Sequence, residues 1–253
     1  MRWFLLTLML AGCATTAPAP ATKTDSPTNY EAIVTAPDRT DDDRKLDPGR
    51  KPAEYLAALA VKPGMKVGEL VCGGGYTTEL LARAVGPNGT VYGENPKWLL
   101  ERFAEKPWSE RLARPVNANV KRLDREPTDP FPPELNGTLD VVVTNANYHD
   151  MVWQKVDTAK MNAGVFAALK SGGHYVVSDS SAKAGSGPEV AEQLHRISED
   201  QVKSEVTAVG FKLARSDDAL RNPADARDWN ASPRLAADKR GTSDRFILIF
   251  EKP

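Results

Sequence analysis

The stretch from Val67 to Gly86, VGELVCGGGYTTELLARAVG, constrains the chain more than any other. Met65 to Val71 is a short apolar run suited to a strand. Gly73, Gly74 and Gly75 follow, and then Leu80, Leu81, Ala84 and Val85 recur at the spacing of one helix face. Strand, glycine turn and helix in that order open the ligand-binding unit of a parallel α/β sheet. Glycine is needed in such a turn because a side chain would block positive φ and hold a ligand away from the backbone. The free amides that open the helix can face ligand oxygens. A glycine triplet is also compatible with a plain tight turn, so the rest of the chain must decide.

The remaining pattern alternates strands with helices. Ala53 to Val61 is a short helix between Pro52 and Pro63-Gly64. Thr90 to Gly93 is the second strand, with Glu94 and Asn95 at its end, where a polar group can accept ribose hydroxyls. Helical pattern covers Trp98 to Ala104, and Asn119 to Leu123 is a third strand ending at Asp124. Leu139 to Thr144, LDVVVT, carries the continuous apolar run Val141 to Val143, as in a strand covered on both faces. The loop Asn145 to Asp150 leaves it, a helix spans Lys155 to Leu169, and His174 to Ser178 is a strand ending at Asp179. Ser198 to Gln201 is a capping-box pattern before a helix carrying Val202, Val206 and Val209. Phe211 to Ala214 is a sixth strand, Arg221 to Thr242 a long polar excursion, and Arg245 to Glu251 the last strand. No helix-length apolar pattern precedes that strand, so it is expected to insert antiparallel. The fold class is therefore α/β, a mostly parallel sheet with helices on both faces.

Charge excludes some partners. The 253 residues carry a formal net charge of −1 with the signs mixed, and no basic block points to nucleic acid. The N-terminus differs from the rest. Arg2 precedes the apolar run Trp3 to Leu10, which is too short to span a bilayer and has the form of an export signal. Leu10-Ala11-Gly12-Cys13 resembles a bacterial lipoprotein box. That resemblance implies that residues 1–12 are removed and that the Cys13 thiol is lipidated. The membrane is then met only through this anchor. Ala14 follows the cysteine, which in a bacterium with two membranes implies the outer one, with the protein facing the periplasm. Residues 13–44, rich in Ala, Pro, Thr and Asp, are expected to be a disordered tether, and 45–253 the domain. Cys72 is the second of two cysteines and is expected to be a small apolar residue at a strand end.

The order of these signals resembles class I S-adenosylmethionine-dependent methyltransferases. The segments that carry the resemblance are VGELVCGGGYTTELLARAVGPNGTVYG, LDVVVTNANYHD, LKSGGHYVVSD and the late AVGF before a terminal strand. KPAEYLA, NYHD, HRI and RNPAD resemble a narrower group of exported bacterial predicted methyltransferases. The resemblance implies a Rossmann-like, seven-stranded sheet with an antiparallel last strand, S-adenosylmethionine as cofactor and a small-molecule acceptor. It implies donor contacts from Glu69, Cys72, Gly73, Gly74, Gly75, Glu94 or Asn95, Asp124 and Asn145. Two positions depart from the family: Val71 replaces the first glycine, and Asn95 replaces the usual acidic ribose ligand.

His149 is the candidate general base, with Tyr148 to stack on or orient a flat substrate and Asp150 to orient the imidazole. The competing account is a loop that caps the next helix through Asp150. A metal drawing on His149, Asp179 and His195 gains no support from their wide spacing, and no metal ligand is assigned. His195 and Arg196 are candidates to meet an anionic acceptor, and Arg221 to Asp225 to form a lid. Two other functions compete with methyl transfer. One is an exported binding module that keeps the fold without transfer. The other is a nicotinamide dehydrogenase, disfavoured because Thr78 stands where its third glycine is required.

Overall fold

The computed structural model describes Met1 and residues 28–253. The export signal, Cys13 and the tether up to residue 27 lie outside the described residues. Helices α1 (Tyr30–Val34), α2 (Asp41–Arg50) and α3 (Pro52–Leu59) precede strand β1 (Lys66–Leu70). Then come α4 (Tyr76–Val85), β2 (Thr90–Asn95), α5 (Lys97–Leu99, continued by a π turn at Leu100–Ala104), α6 (Glu105–Leu112) and β3 (Val120–Asp124). The second half holds β4 (Leu139–Asn145), α7 (Tyr148–Trp153), α8 (Thr158–Ala168), β5 (Leu169–Ser180), α9 (Val190–Leu194), α10 (Glu199–Thr207), β6 (Lys212–Asp217) and β7 (Arg245–Glu251).

The strands form one sheet in the order β3-β2-β1-β4-β5-β7-β6. All neighbours are parallel except β7, which runs antiparallel to both β5 and β6. The chain order reverses between β1 and β4, and open sheets of this kind bind ligands at the carboxyl ends there. Covering both faces explains the unbroken apolar strands. In β7, Phe246, Leu248 and Phe250 join one core with Met161, Val165 and Val202. Ile247 and Ile249 join the opposite core with Leu56, Leu80 and Leu81. Period-two side chains thus serve two layers at once.

Four local expectations change. The chain leaving β4 is not a loop as far as Asp150, because Tyr148 already opens α7 with Asn147 as N-cap. β5 begins at Leu169, which pairs with Leu139 before the register shifts, so it takes in the glycines expected to end a helix. The Ser198 hydroxyl makes no capping bond at the start of α10. Residues 28–44, assigned to the tether, are packed on the domain through ion pairs. Asp38 meets Arg83 at 2.9 Å, Arg39 meets Asp47 at 2.6 Å and Asp43 meets Arg111 at 2.8 Å. Composition resembled that of a tether because these contacts are polar and have no periodicity.

Trp108 in α6 is fully buried against the glycine turn. A Cβ on Gly75 would fall 2.5 Å from its ring, and one on Gly93 would fall 2.8 Å from it. Gly75 also sits at φ +76°. Gly93→Ala is therefore expected to cost about 1–3 kcal/mol of stability through overpacking. Gly75→Ala should cost more, because strain in φ adds to the clash. Denaturant unfolding of the two variants checks both the sign and the order.

Candidate functional site

The turn after β1 is held from the neighbouring strand. Val71 adopts φ +52°, unusual for a β-branched residue and natural for the glycine it replaces. Its N–H donates to Glu94 Oε2 at 2.9 Å, and its carbonyl accepts from Asn147 Nδ2 at 3.0 Å. Gly73 N–H donates to Asn95 Oδ1 at 2.7 Å, and Asn95 Nδ2 donates back to Gly73 O at 3.0 Å. Glu94 and Asn95 are fully buried in this role. The sequence predicted a ribose contact from Glu94 or Asn95, but β2 ends there and both side chains turn inward to the glycine loop. Burial raises the Glu94 carboxyl to about 8, against the weaker effect of the Val71 hydrogen bond. Its Oε1 is buried without a partner among the described residues, which suits the neutral acid.

The turn opens onto a cleft of about 1100 Å³. Glu69, Cys72, Gly73, Gly74 and Asn145 line it. Glu69 is raised to about 8 by burial, opposed by the Thr78 hydroxyl, which donates to its Oε2 at 2.6 Å. A Cβ on Gly73 would meet nothing within 4 Å, so this backbone faces open space. Gly75 does not line the cleft, and its glycine is required by Trp108 instead. Asp124, expected near an adenine, is exposed and pairs with Arg122 at 2.7 Å away from the cleft. Cys72 packs with Trp108, and burial pushes its thiol well up.

Two cations that the sequence did not single out join the cleft wall. Arg50, at the end of α2, stacks 4.2 Å from the Tyr76 ring centre, and burial lowers its pKa. Arg245, opening β7, donates to Gly49 O at 2.7 Å, and burial lowers its pKa too. No periodicity or motif marks either residue. Docking of α2 over the turn brings Arg50 there, and the pairing of β7 with β5 brings Arg245.

The other end of the cleft is built by β4 and β5. These strands pair as far as Asn145 and Ser178, so α7 starts beside Asp179. Asp179 is fully buried. Its Oδ2 accepts the His149 backbone N–H at 3.0 Å, and its Oδ1 lies 2.8 Å from His149 Nδ1. His149 Nε2 lies 3.3 Å from His195 Nδ1 and 3.4 Å from Asp150 Oδ1. His195 follows α9 at φ +48° and is fixed by its neighbours. Ile197 N–H donates to Ser180 O at 3.0 Å, and Arg196 pairs with Asp225 at 2.8 Å. Burial alone would lower the His149 pKa, but Asp179 and then Asp150 outweigh it and raise it to about 9. His149 thus holds its proton at neutral pH and is not the free base expected. His195 is lowered by burial and by His149, and Asp150 is raised by burial.

Four other expectations move. Tyr148 is fully buried, donates to Glu205 Oε2 at 2.8 Å, and does not reach a substrate. Arg196 is committed to Asp225 and cannot meet an anionic acceptor. Arg221 binds Ser181 Oγ at 2.9 Å and Asp244 at 3.1 Å, so the segment from Arg221 to Asp225 is a brace, not a lid. Asp150 lies inside α7 and does not cap it.

No protein-family model and no curated protein matches the chain in sequence. Solved structures match it in fold. An S-adenosylmethionine-dependent methyltransferase from Aquifex aeolicus aligns over 85% of this chain and 100% of its own, with 18% identity and TM-score 0.59. Geranyl diphosphate C-methyltransferase from Streptomyces coelicolor A3(2), solved with Mg2+, geranyl diphosphate and S-adenosyl-L-homocysteine, aligns over 88% of each chain with 14% identity and TM-score 0.58. The cyclase SpnF aligns over 80% of this chain and 82% of its own, with 16% identity and TM-score 0.57. The fold is the Rossmann-like fold of class I methyltransferases.

Glu94 offers a test of how the turn is held. Its folded pKa of about 8 exceeds the ordinary carboxyl value of 4.5. Between those values the unfolded chain loses a proton that the folded chain keeps, so this contribution is present at low pH and lost as pH rises through the window. Glu94→Gln keeps an acceptor for Val71 and removes the titration. Its stability relative to the native chain should rise from pH 5 to pH 8 in denaturant unfolding. Parallel curves would mean that Glu94 is ionised in the fold.

Proposed function

We propose that the chain is an S-adenosylmethionine-dependent methyltransferase acting on a small-molecule acceptor. The observation that carries this is the convergence, in one cleft, of an open glycine turn after β1 and a His-Asp-His group after β4 and β5. The cleft fits the donor on its own chemistry. Gly73 leaves backbone open where a side chain would fill the space. Arg50 offers a positive charge to the carboxylate of an amino-acid end, and the Glu69 carboxyl offers hydrogen bonding to its ammonium. Bound there, S-adenosylmethionine supplies a methyl group on a positively charged sulfur.

The chain's own work is positioning, exclusion of water and management of a proton. Asn145 is held by Thr77 and Ser178 beside the turn, which shapes the middle of the cleft. Asp150 and Asp179 set two carboxylates against one imidazolium, so the group draws positive charge at the acceptor end. A hydroxyl or amine acceptor that loses a proton gives it up to the Asp150 carboxylate or the neutral His195 ring, because His149 already holds one.

Calorimetric titration of the chain with S-adenosylmethionine, S-adenosylhomocysteine and NAD is the direct test. Saturable heat is expected with the first two and none with NAD. Glu69→Gln and Arg50→Ala should each weaken donor affinity by about tenfold or more. Asp150→Asn should leave donor affinity unchanged and lower turnover by about 10²–10⁴. Absence of heat with the donor rejects the enzyme. Donor binding without transfer to any acceptor leaves the binding module, and SpnF is a cyclase on the same fold.

Export and lipid anchoring through Cys13 complete the proposal, supported by the Leu-Ala-Gly-Cys pattern. Among the described residues no helix is long and apolar enough to cross a membrane. Cys13→Ser should release the protein from the membrane fraction, and unchanged partitioning would reject the anchor.

A further inference from the structure

Three atoms that can ligate a metal once His149 gives up its proton meet at one point of the cleft wall. His149 Nε2 is 3.3 Å from His195 Nδ1 and 3.4 Å from Asp150 Oδ1, and His195 Nδ1 is 3.7 Å from Asp150 Oδ1. We propose that these three atoms form a site for a divalent transition-metal ion of the zinc type, with a further position open to the cleft.

The spacing matches the ion. Four-coordinate zinc with bonds of about 2.0–2.1 Å sets its ligand atoms about 3.3–3.4 Å apart. An octahedral magnesium ion with bonds of about 2.0–2.1 Å sets adjacent ligands about 2.9 Å apart, closer than any pair here. Two imidazoles with one carboxylate also favour zinc, iron or cobalt over magnesium and calcium. Three protein ligands with an open fourth position is the arrangement of a catalytic rather than a structural zinc.

The support behind the ligands points the same way. Asp179 stands 2.8 Å from His149 Nδ1 and also accepts the backbone N–H groups of His149 and Ser180, so it cannot swing away. A carboxylate on the far nitrogen of a ligating histidine fixes the ring and directs Nε2 at the metal. His195 is held in the left-handed region at φ +48°, a conformation that persists where surrounding contacts impose it. The bridge from Ser181 to Ile197 and the buried Arg196–Asp225 pair impose it here. Wide spacing in sequence argued against a metal. The fold removes that objection, because the ends of β4 and β5 lie side by side and the segment after α9 is tied to Ser180 and Ser181.

Metal binding itself does not depend on the methyltransferase proposal; only the role of the ion does. On that proposal the open position takes the oxygen or nitrogen of the acceptor and eases loss of its proton, which then leaves to solvent because the ion occupies the basic atoms of Asp150 and His195.

The test uses the full chain, stripped with a chelator and titrated separately with Co2+ and Zn2+. One cobalt per chain is expected, with the strong visible absorption of four-coordinate cobalt, displaced by one zinc. Asp179→Asn should weaken zinc binding by about 10–100-fold. His195→Ala and Asp150→Ala should abolish stoichiometric binding while thermal unfolding still shows a folded protein. If His195→Ala does not fold, His195→Gln and the native cobalt spectrum decide. Absence of saturable binding, a six-coordinate cobalt spectrum, or binding that survives both ligand substitutions overturns the site. Donor titration of the same stripped protein separates the two proposals. Heat with the donor and no metal site rejects this inference alone, and a metal site without donor binding rejects the methyltransferase alone.

Discussion

Two side chains at the end of β2 hold open the turn on which the cleft depends. Val71 at φ +52° costs about 1–3 kcal/mol by itself. Glu94 takes its N–H, Asn147 takes its carbonyl, and Asn95 grips both polar groups of Gly73. Each such hydrogen bond returns about 1 kcal/mol, and leaving one of these buried groups unpaired would cost more. The turn therefore stays in a shape that its own sequence disfavours. Asn95, where the resemblance to class I methyltransferases led us to expect an acidic ribose ligand, serves the backbone instead. Whatever binds over this turn meets Gly73, Glu69 and Arg50, with no carboxylate from β2 to receive it.

The N-terminal segment completes the cleft from the opposite side. Asp38 and Asp43 are linked along α4 through Arg83, Glu79 and Arg111, and Arg39 and Asp47 join Tyr76 at the start of that helix. Arg111 also donates to Gly74 O at 2.6 Å, so the same network touches the glycine turn. Such pairs are weak when exposed, and Arg39 and Asp43 are buried, where losing one partner is costly. Docking α2 this way sets Arg50 over Tyr76 and closes one wall of the cleft.

At the far end the polar excursion acts as a brace. Asp225 receives Arg196, the Trp229 indole N–H at 2.7 Å and the Asp244 N–H at 2.7 Å. Asp244 in turn pairs with Arg221 and Arg227. This set pins Arg196, and Arg196 pins His195. A stretch with no apolar period thus positions a side chain of the candidate site more firmly than a loop would.

The sequence by itself determined the layers and the strand polarity. Unbroken apolar runs in β4 and β7 require cover on both faces, and glycines after β1 require a turn that faces a ligand. These are properties of neighbours in sequence, and they are legible there. It also marked Glu69, Gly73, Asn145, His149 and Asp150 as residues near the sheet edge that lines the cleft. Tertiary structure decided the roles. Glu94 and Asn95 turn inward because β2 ends beside the glycine loop, and Tyr148 turns into the core because α7 begins at it. Asp179 comes to His149, and His195 and Arg50 come to the cleft, through contacts between segments far apart in the chain. Side-chain direction at a strand end and the meeting of distant segments depend on packing, and no local period in the sequence encodes either.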